Sequence, residues 1–305
     1  MTDRLPDRMR WCFRALIRAV TFVIRQLLPE NAYRSAQSRW KIIRTNRHLT
    51  RILGPEFRRS RSLIEIDITY ACNLNCFNCN RSCEQAPTGE HMSLQQIQSF
   101  VDEWIWEGKV WDRIRILGGE PTIHRHFFEI IELLRSYRRA YAPGTVIEVA
   151  TNGYGERVND AIRKLPPDVN VSNTAKQSNV QRDFRSFNVA PIDVPGYRRT
   201  DYTNGCFVTE ICGTGLGPGG YYPCAVAGGI DRIFGWNLGR QRLPKESDGM
   251  ETELKRFCSV CGYFKRLPEG PLNGPVKSQT WEDAYTQYRA GRRHGRSECQ
   301  RSGTN

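Results

Sequence analysis

From residue 63 the chain sets apolar residues against polar ones in alternation: Leu63 with Glu65, Ile66 with Asp67, Ile68 with Thr69. This period of two, rich in β-branched types, predicts a strand over Leu63–Tyr70. The period then changes. Ser93-Leu-Gln-Gln96 has the form of a capping box, and Leu94, Ile97, Val101 and Trp104 follow on one helical face. Ile114–Leu117 predicts a second strand and Val146–Ala150 a third. Between them, Phe127, Ile130, Ile131 and Leu134 have the i, i+3, i+4, i+7 spacing of a second helix. Asp168–Ser172 is a candidate fourth strand, and a stretch near Phe187–Asp193 a fifth. Strands alternating with helices indicate an α/β fold around a parallel sheet. Farther on, Pro218-Gly219-Gly220 reads as the turn of a hairpin running from Phe207 to Cys224.

The predicted strand ends carry the chemistry. After the first comes Cys72-Asn-Leu-Asn-Cys76-Phe-Asn-Cys79, spaced C-x3-C-x2-C. Three thiolates on one loop can hold three irons of a [4Fe–4S] cube and leave the fourth iron without a protein ligand. The same thiolates could instead bind zinc, with Cys83 or His91 as the fourth ligand, since structural metal sites usually close their shell. After the second strand comes Gly118-Gly119-Glu120-Pro121-Thr-Ile-His124, and after the third Thr151-Asn152-Gly153. Each of these alone would be an ordinary turn.

In this order, the three motifs resemble the radical S-adenosylmethionine (SAM) superfamily, over about Ser62 to Pro195. The resemblance implies that Cys72, Cys76 and Cys79 ligate a [4Fe–4S] cluster whose open iron is chelated by the amine and carboxylate of SAM. It implies that Gly118, Gly119 and Glu120 meet the SAM amino group, with Thr151, Asn152, Ser172 and Asn173 as further SAM contacts. Asn152 and Asn173 are also ordinary turn-capping residues. His124 has a spacing common in the family and could equally cap the next helix. The family often has an aromatic residue just before the third cysteine. Here that residue is Asn78, preceded by Phe77, which departs from the usual adenine contact. Little sequence separates the fifth candidate strand from Cys206, so the implied fold is an abridged partial (β/α)6 barrel.

A second cysteine group follows: Cys206, Cys212, Cys224, and Cys258-Ser-Val-Cys261. Zinc ribbons also combine a hairpin with a C-x2-C pair. Behind a radical SAM core, the group resembles the twitch domain, the shortened SPASM domain, which carries one auxiliary [4Fe–4S] cluster. Cys206 followed by Gly219-x4-Cys224 fits that pattern. The resemblance assigns Cys206, Cys224, Cys258 and Cys261 as ligands, with Cys212 in reserve. A free Cys212 could donate a hydrogen atom near the substrate or be a buried spectator thiol. Cys83 reads as a free thiol, because a fourth ligand there would close the reactive iron.

Composition changes the picture in one respect. The 305 residues carry a formal charge of +13, but residues 1–61 hold 15 Lys/Arg against 4 Asp/Glu, leaving the remainder at +2. The body therefore has no excess of basic charge for nucleic acid, and no nucleic-acid partner is expected. Trp11–Leu28 would form a helix with Arg14, Arg18, Thr21 and Arg25 on one stripe. Its arginines disfavour a transmembrane span. Lying on an anionic membrane surface, docking on its own domain and a mitochondrial-type presequence are the readings left. A solvated basic segment (Arg34, Arg39, Lys41, Arg44, Arg47, Arg51) is expected after it, and Gly291–Asn305 reads as a loose tail. Among the eleven cysteines, the clustered C-x-x-C-type spacings and the lack of a clean export signal argue for a reducing cytoplasm, with the inner face of the membrane as a peripheral site. The expected units are 1–61 (basic extension), 62–200 (partial barrel), 201–275 (cysteine-rich twitch/SPASM-like domain) and 276–305 (helix and tail).

Three functions fit. The first is a radical SAM oxidoreductase acting on a small polar, carbohydrate-like or cyclitol alcohol, with the auxiliary cluster accepting an electron and a flavodoxin or ferredoxin as low-potential donor. The second is a radical SAM enzyme that crosslinks or epimerises a peptide. The third is a zinc-stabilised binding protein without catalysis.

Overall fold

The computed structural model describes residues 20, 22–178, 187–265 and 276–301. Its centre is one six-stranded sheet in the order β4-β3-β2-β1-β5-β6. Strands β1 (Leu63–Thr69), β2 (Arg113–Gly118), β3 (Val146–Thr151) and β4 (Asn170–Asn173) run parallel, as the periodicity predicts. They alternate with helices α3 (Leu94–Trp106), α4 (Phe127–Tyr141) and α5 (Glu156–Arg163). Ser93 caps α3 by accepting from the Gln96 N–H, the bond that the capping-box reading requires.

The sheet has two unlike faces. Ile64, Ile66, Ile68, Ile114, Ile116, Ile147 and Val149 form the outer face, packed against Ile97, Val101 and Trp104 of α3 and Phe127, Ile130 and Leu134 of α4. The intervening residues Glu65, Asp67, Arg115 and Glu148 lie on the inner face. Trp104 is the hub of the outer core. It meets Trp111 and Tyr137 edge-on and donates from Nε1 to the Tyr221 hydroxyl at 2.8 Å.

Several expectations change here. Phe187–Asp193 is not a fifth strand: Phe187 is buried and Pro191–Asp193 forms a 3-10 turn. Proline at the first turn position lacks the N–H that a ladder needs. The sheet grows instead on its other side, where β5 (Thr214–Gly217) pairs in parallel with β1, and β6 (Gly220–Tyr222) pairs antiparallel with β5. The hairpin is therefore real but shorter than expected, because Phe207–Ile211 is a helix, α6. It also joins the barrel sheet, so no break in the sheet separates 62–200 from 201–275. Helices α7 (Ala227–Phe234) and α8 (Glu251–Val260) follow. The last helix, α9, spans Gln279–Arg301, so the expected tail is helical as far as Arg301.

The basic segment is solvated only in part: Arg39, Arg47 and Arg51 are exposed, whereas Lys41 and Arg44 are not. Helices α1 (Glu30–Arg44) and α2 (Arg47–Leu53) dock on the segment leading to Cys206. The Asp201 N–H donates to the Thr45 carbonyl at 2.7 Å, and Asn204 Nδ2 to Thr50 Oγ1 at 2.6 Å. Lys41 and Arg44 are buried, because their stems cover apolar surface while their heads find Glu56 and the Gly54 carbonyl. Most of the predicted Trp11–Leu28 helix lies outside the described residues. No described helix is long and apolar enough to cross a membrane.

Trp104→Ala should lower stability by about 3–5 kcal/mol, through lost burial and a cavity beneath α3. Urea denaturation measures this, and an unchanged midpoint would contradict the packing described.

Candidate active site

The ends of the four parallel strands place their loops side by side. After β1, the cysteine loop folds back in tight turns, with Ser82 N–H donating to the Cys79 carbonyl at 2.8 Å and Gln85 Nε2 to the Cys76 carbonyl at 3.0 Å. The Gly118-Gly119 segment crosses this loop closely. The Gly119 N–H donates to the Thr69 carbonyl at 2.8 Å and the Glu120 N–H to the Ala71 carbonyl at 2.9 Å. A Cβ on Gly119 would lie 2.1 Å from the Ala71 oxygen, so only glycine permits the crossing. The donors of this segment thus hold the cysteine loop.

Glu120 is 0% exposed and its carboxylate binds protein donors on both oxygens. One oxygen accepts from the Thr122 N–H at 3.2 Å, from Thr122 Oγ1 at 2.8 Å and from Thr151 Oγ1 at 2.9 Å. The other accepts from the Asn152 N–H at 2.8 Å. Asn152 in turn donates to Asn73 Oδ1 at 2.8 Å, inside the cysteine loop, and Asn73 donates to the Tyr154 carbonyl at 2.8 Å. Glu120 therefore locks the loops after β2 and β3 together, and Asn152–Asn73 ties both to the loop after β1.

The sulfurs have unequal surroundings. Burial pushes the Cys72 thiol up to about 12, partly offset by a backbone N–H at Leu74. The Cys79 thiol is brought down to about 6, first by the Cys83 thiol, then by backbone N–H groups and the Arg81 charge. Cys83 is thus not isolated but a buried donor to Cys79. Lys176 Nζ lies 3.8 Å from Cys76 Sγ and Asn152 Nδ2 lies 3.9 Å from Cys72 Sγ. A loop of three sulfurs approached by an ammonium, an amide and a thiol suits thiolates, and so fits a cationic metal cluster.

Other candidates sit less centrally. Ser172 and Asn173 are exposed on β4, and Asn173 Oδ1 accepts from the Ala175 N–H at 2.8 Å. Asn152 Oδ1 likewise accepts from the Tyr154 N–H at 2.7 Å, so both asparagines make turns. His124 bonds the Met92 carbonyl and accepts from the His126 N–H, which makes it a fastener at the start of α4.

What the sequence reading missed is the inner face. Glu65, Arg115 and Glu148 share one register across β1, β2 and β3. Arg115 donates to Glu65 at 2.6 Å and to Glu148 at 2.8 Å. Arg81, just past the third cysteine, reaches Asp67 at 3.2 Å and stands 3.7 Å from Glu65. Burial raises the Asp67 carboxyl to about 6, against the pull of Arg81. The signal was present in the polar half of the strand alternation, which side-by-side register turns into a row. Cys212 belongs here too. It interacts with Glu65, and burial together with that carboxylate raises its thiol.

Cys206, Cys224, Cys258 and Cys261 come together elsewhere, around a cavity also walled by Val226, Ile230, Phe257 and Phe264. Cys212 is not among its walls. Burial raises all four thiols, Cys224 to about 12, and at Cys258 and Cys261 the neighbouring sulfurs raise them further. Four buried thiolates repel one another unless a cation stands between them, so this donor set fits a bound metal group. Among the described residues, no three His, Cys, Asp or Glu side chains are grouped to hold a single metal ion.

With this geometry in place, comparison with known proteins is informative. Residues 66–179 match the Radical SAM superfamily, a span that holds Cys72, Cys76, Cys79, Glu120 and Asn152 and ends before Cys206. A radical SAM domain implies a [4Fe–4S] cluster and SAM, together with a reductant and a substrate. The chain is similar to the mycofactocin maturase MftC of Mycobacterium ulcerans, 36% identical over 87 residues. That match covers 28% of this chain and 21% of the relative. It is also similar to the GTP 3′,8-cyclase of Nautilia profundicola, 27% identical over 133 residues, covering 39% of this chain and 40% of the cyclase. The chain thus spans well under half the length of these relatives. Among solved structures, BtrN in complex with AdoMet and 2-DOIA aligns over 73% of this chain and 98% of that one, at 12% identity and a TM-score of 0.38.

Glu120→Gln would turn an amide NH2 toward one of the donors that the carboxylate now serves. The apo-protein should lose about 1–3 kcal/mol, the cost of a buried donor left unpaired. Chemical denaturation measures it, and an unaltered transition would contradict the locking role.

Proposed function

We propose that the chain is a radical SAM oxidoreductase with two [4Fe–4S] centres, acting on a small polar substrate held against the charged inner face of the sheet. Cys72, Cys76 and Cys79 would hold the SAM-binding cluster, and Cys206, Cys224, Cys258 and Cys261 an auxiliary one. When bound, these groups supply the chemistry: an electron that cleaves SAM to methionine and a 5′-deoxyadenosyl radical, and an acceptor for the electron that an oxidised substrate sheds.

The chain's own residues do the rest. Gly118 and Gly119 would lie near the SAM amino group, beside the cysteine loop that the N–H groups of Gly119 and Glu120 hold. Glu120 acts on SAM through the loops it locks. Thr151, Asn152, Ser172 and Asn173 would border the nucleotide at the strand ends, where parallel barrels gather ligand groups. Arg81 couples the cysteine loop to the inner face by its ion pair with Asp67, fixing the distance between cofactor and substrate.

The observation that carries the substrate class is the Glu65–Arg115–Glu148 row. An apolar ligand would strip water from these ions without replacing it, whereas hydroxyls can both donate to the carboxylates and accept from Arg115. A carbohydrate-like or cyclitol alcohol meets that requirement. The likeness to a maturase and the place of Cys212 favour a second reading, modification of a peptide. Cys212 lies beside Glu65 rather than at the four-cysteine cavity, where it could return a hydrogen atom to a peptide radical.

Cys76→Ala should abolish reductive SAM cleavage and reduce the iron content from about eight to about four per chain. Anaerobic iron and sulfide analysis with a 5′-deoxyadenosine assay tests this. Full cleavage in the variant refutes the assignment, and stoichiometric zinc in the native protein would favour the non-catalytic binding protein instead.

A further inference from the structure

The buried Lys41 has no part in the chemistry so far. It comes from the N-terminal extension, yet its side chain is 3% exposed and its Nζ lies 4.6 Å from the ring centre of Phe264. Phe264 is a wall of the four-cysteine cavity. Phe57 covers Lys41 at 5.0 Å, and Glu56, 18% exposed, pairs with it at 2.6 Å. Burying an ion pair is seldom a net gain in stability over well-packed apolar residues, so the charge calls for another explanation.

We propose that Lys41 is the charge partner of the four-cysteine centre and sets its reduction potential, keeping it able to accept an electron from the substrate. The proposal rests on the two-cluster reading above. Four thiolates around a [4Fe–4S] group leave a net negative charge, and taking up one electron adds another. A cation fixed behind the wall stabilises the reduced state more than the oxidised one and so raises the potential. The aromatic faces of Phe57 and Phe264 keep the ammonium from being screened by water. The extension thereby backs the centre's wall through Phe264. Thr45, Asn46 and Arg47 bind the backbone at 199–201, just ahead of Cys206, and hold Lys41 in place.

The test uses full-length protein, reconstituted anaerobically with iron and sulfide, in redox titrations followed by electron paramagnetic resonance (EPR). Lys41→Met should lower the midpoint of one cluster by about 59 mV, a tenfold change for a one-electron couple, and leave the other unmoved. Lys41→Arg should preserve the native value, and Glu56→Gln should shift the same cluster upward. Iron content is measured alongside. About four irons per chain in the native protein, in place of about eight, overturns the two-cluster reading and this proposal with it. Eight irons with neither midpoint moved in Lys41→Met and Glu56→Gln overturns the role of Lys41 alone. If Lys41→Met loses its iron, Glu56→Gln decides: an upward shift supports the proposal and an unmoved midpoint overturns it.

Discussion

The arrangement at the strand ends depends on one carboxylate. Glu120, sealed from solvent, accepts from Thr122, Thr151 and Asn152, and so binds the turn after β2 to the turn after β3. Through the Asn152–Asn73 bond the same anchor reaches the cysteine loop. Two loops thus share one buried acceptor, and the third is tied to it through Asn152. A carboxylate with no water must be bonded on both oxygens, and here protein donors supply that. The constraint is strong because each donor is itself part of a loop that would otherwise be free to drift.

Around that anchor the sheet separates two environments. Its outer face is isoleucine and valine under helices, which supplies the stability. Its inner face carries Glu65, Asp67, Arg115 and Glu148, with Arg81 folded onto it from the cysteine loop. Such a face is costly to bury and is kept in order by the alternation of charge along it. The four-cysteine cavity lies beyond, closed by α8 and by Phe264, which Lys41 of the N-terminal extension backs. The β5–β6 hairpin links the two cysteine groups mechanically, because β5 pairs with the strand that launches the cysteine loop.

Much of this was legible from residue order. The strands at 63, 114 and 146 declare themselves by β-branched alternation, and the motifs at their ends mark where ligand groups gather. The strand near Phe187 did not form because Pro191 favours a turn, and the growth of the sheet at β5 is a pairing that local pattern does not encode. The burial of Lys41 and Arg44 was hidden for a similar reason. A lysine–arginine run looks solvated until a distant segment supplies its acceptors. The role of Glu120 was half legible: the sequence marked the residue, and only the fold shows that its oxygens serve Thr151 and Asn152. The inner row was written in the polar half of the alternation, yet its meaning needs the register of three strands at once.

On the function proposed above, the loop of Cys72, Cys76 and Cys79 holds a cluster with one iron open to SAM. The most direct measurement is the EPR spectrum of the anaerobically reconstituted, reduced protein before and after SAM is added. The account predicts that one of two cluster signals changes on addition, because the amine and carboxylate of SAM enter the shell of that iron. Two signals indifferent to SAM, or no cluster signal, would contradict it.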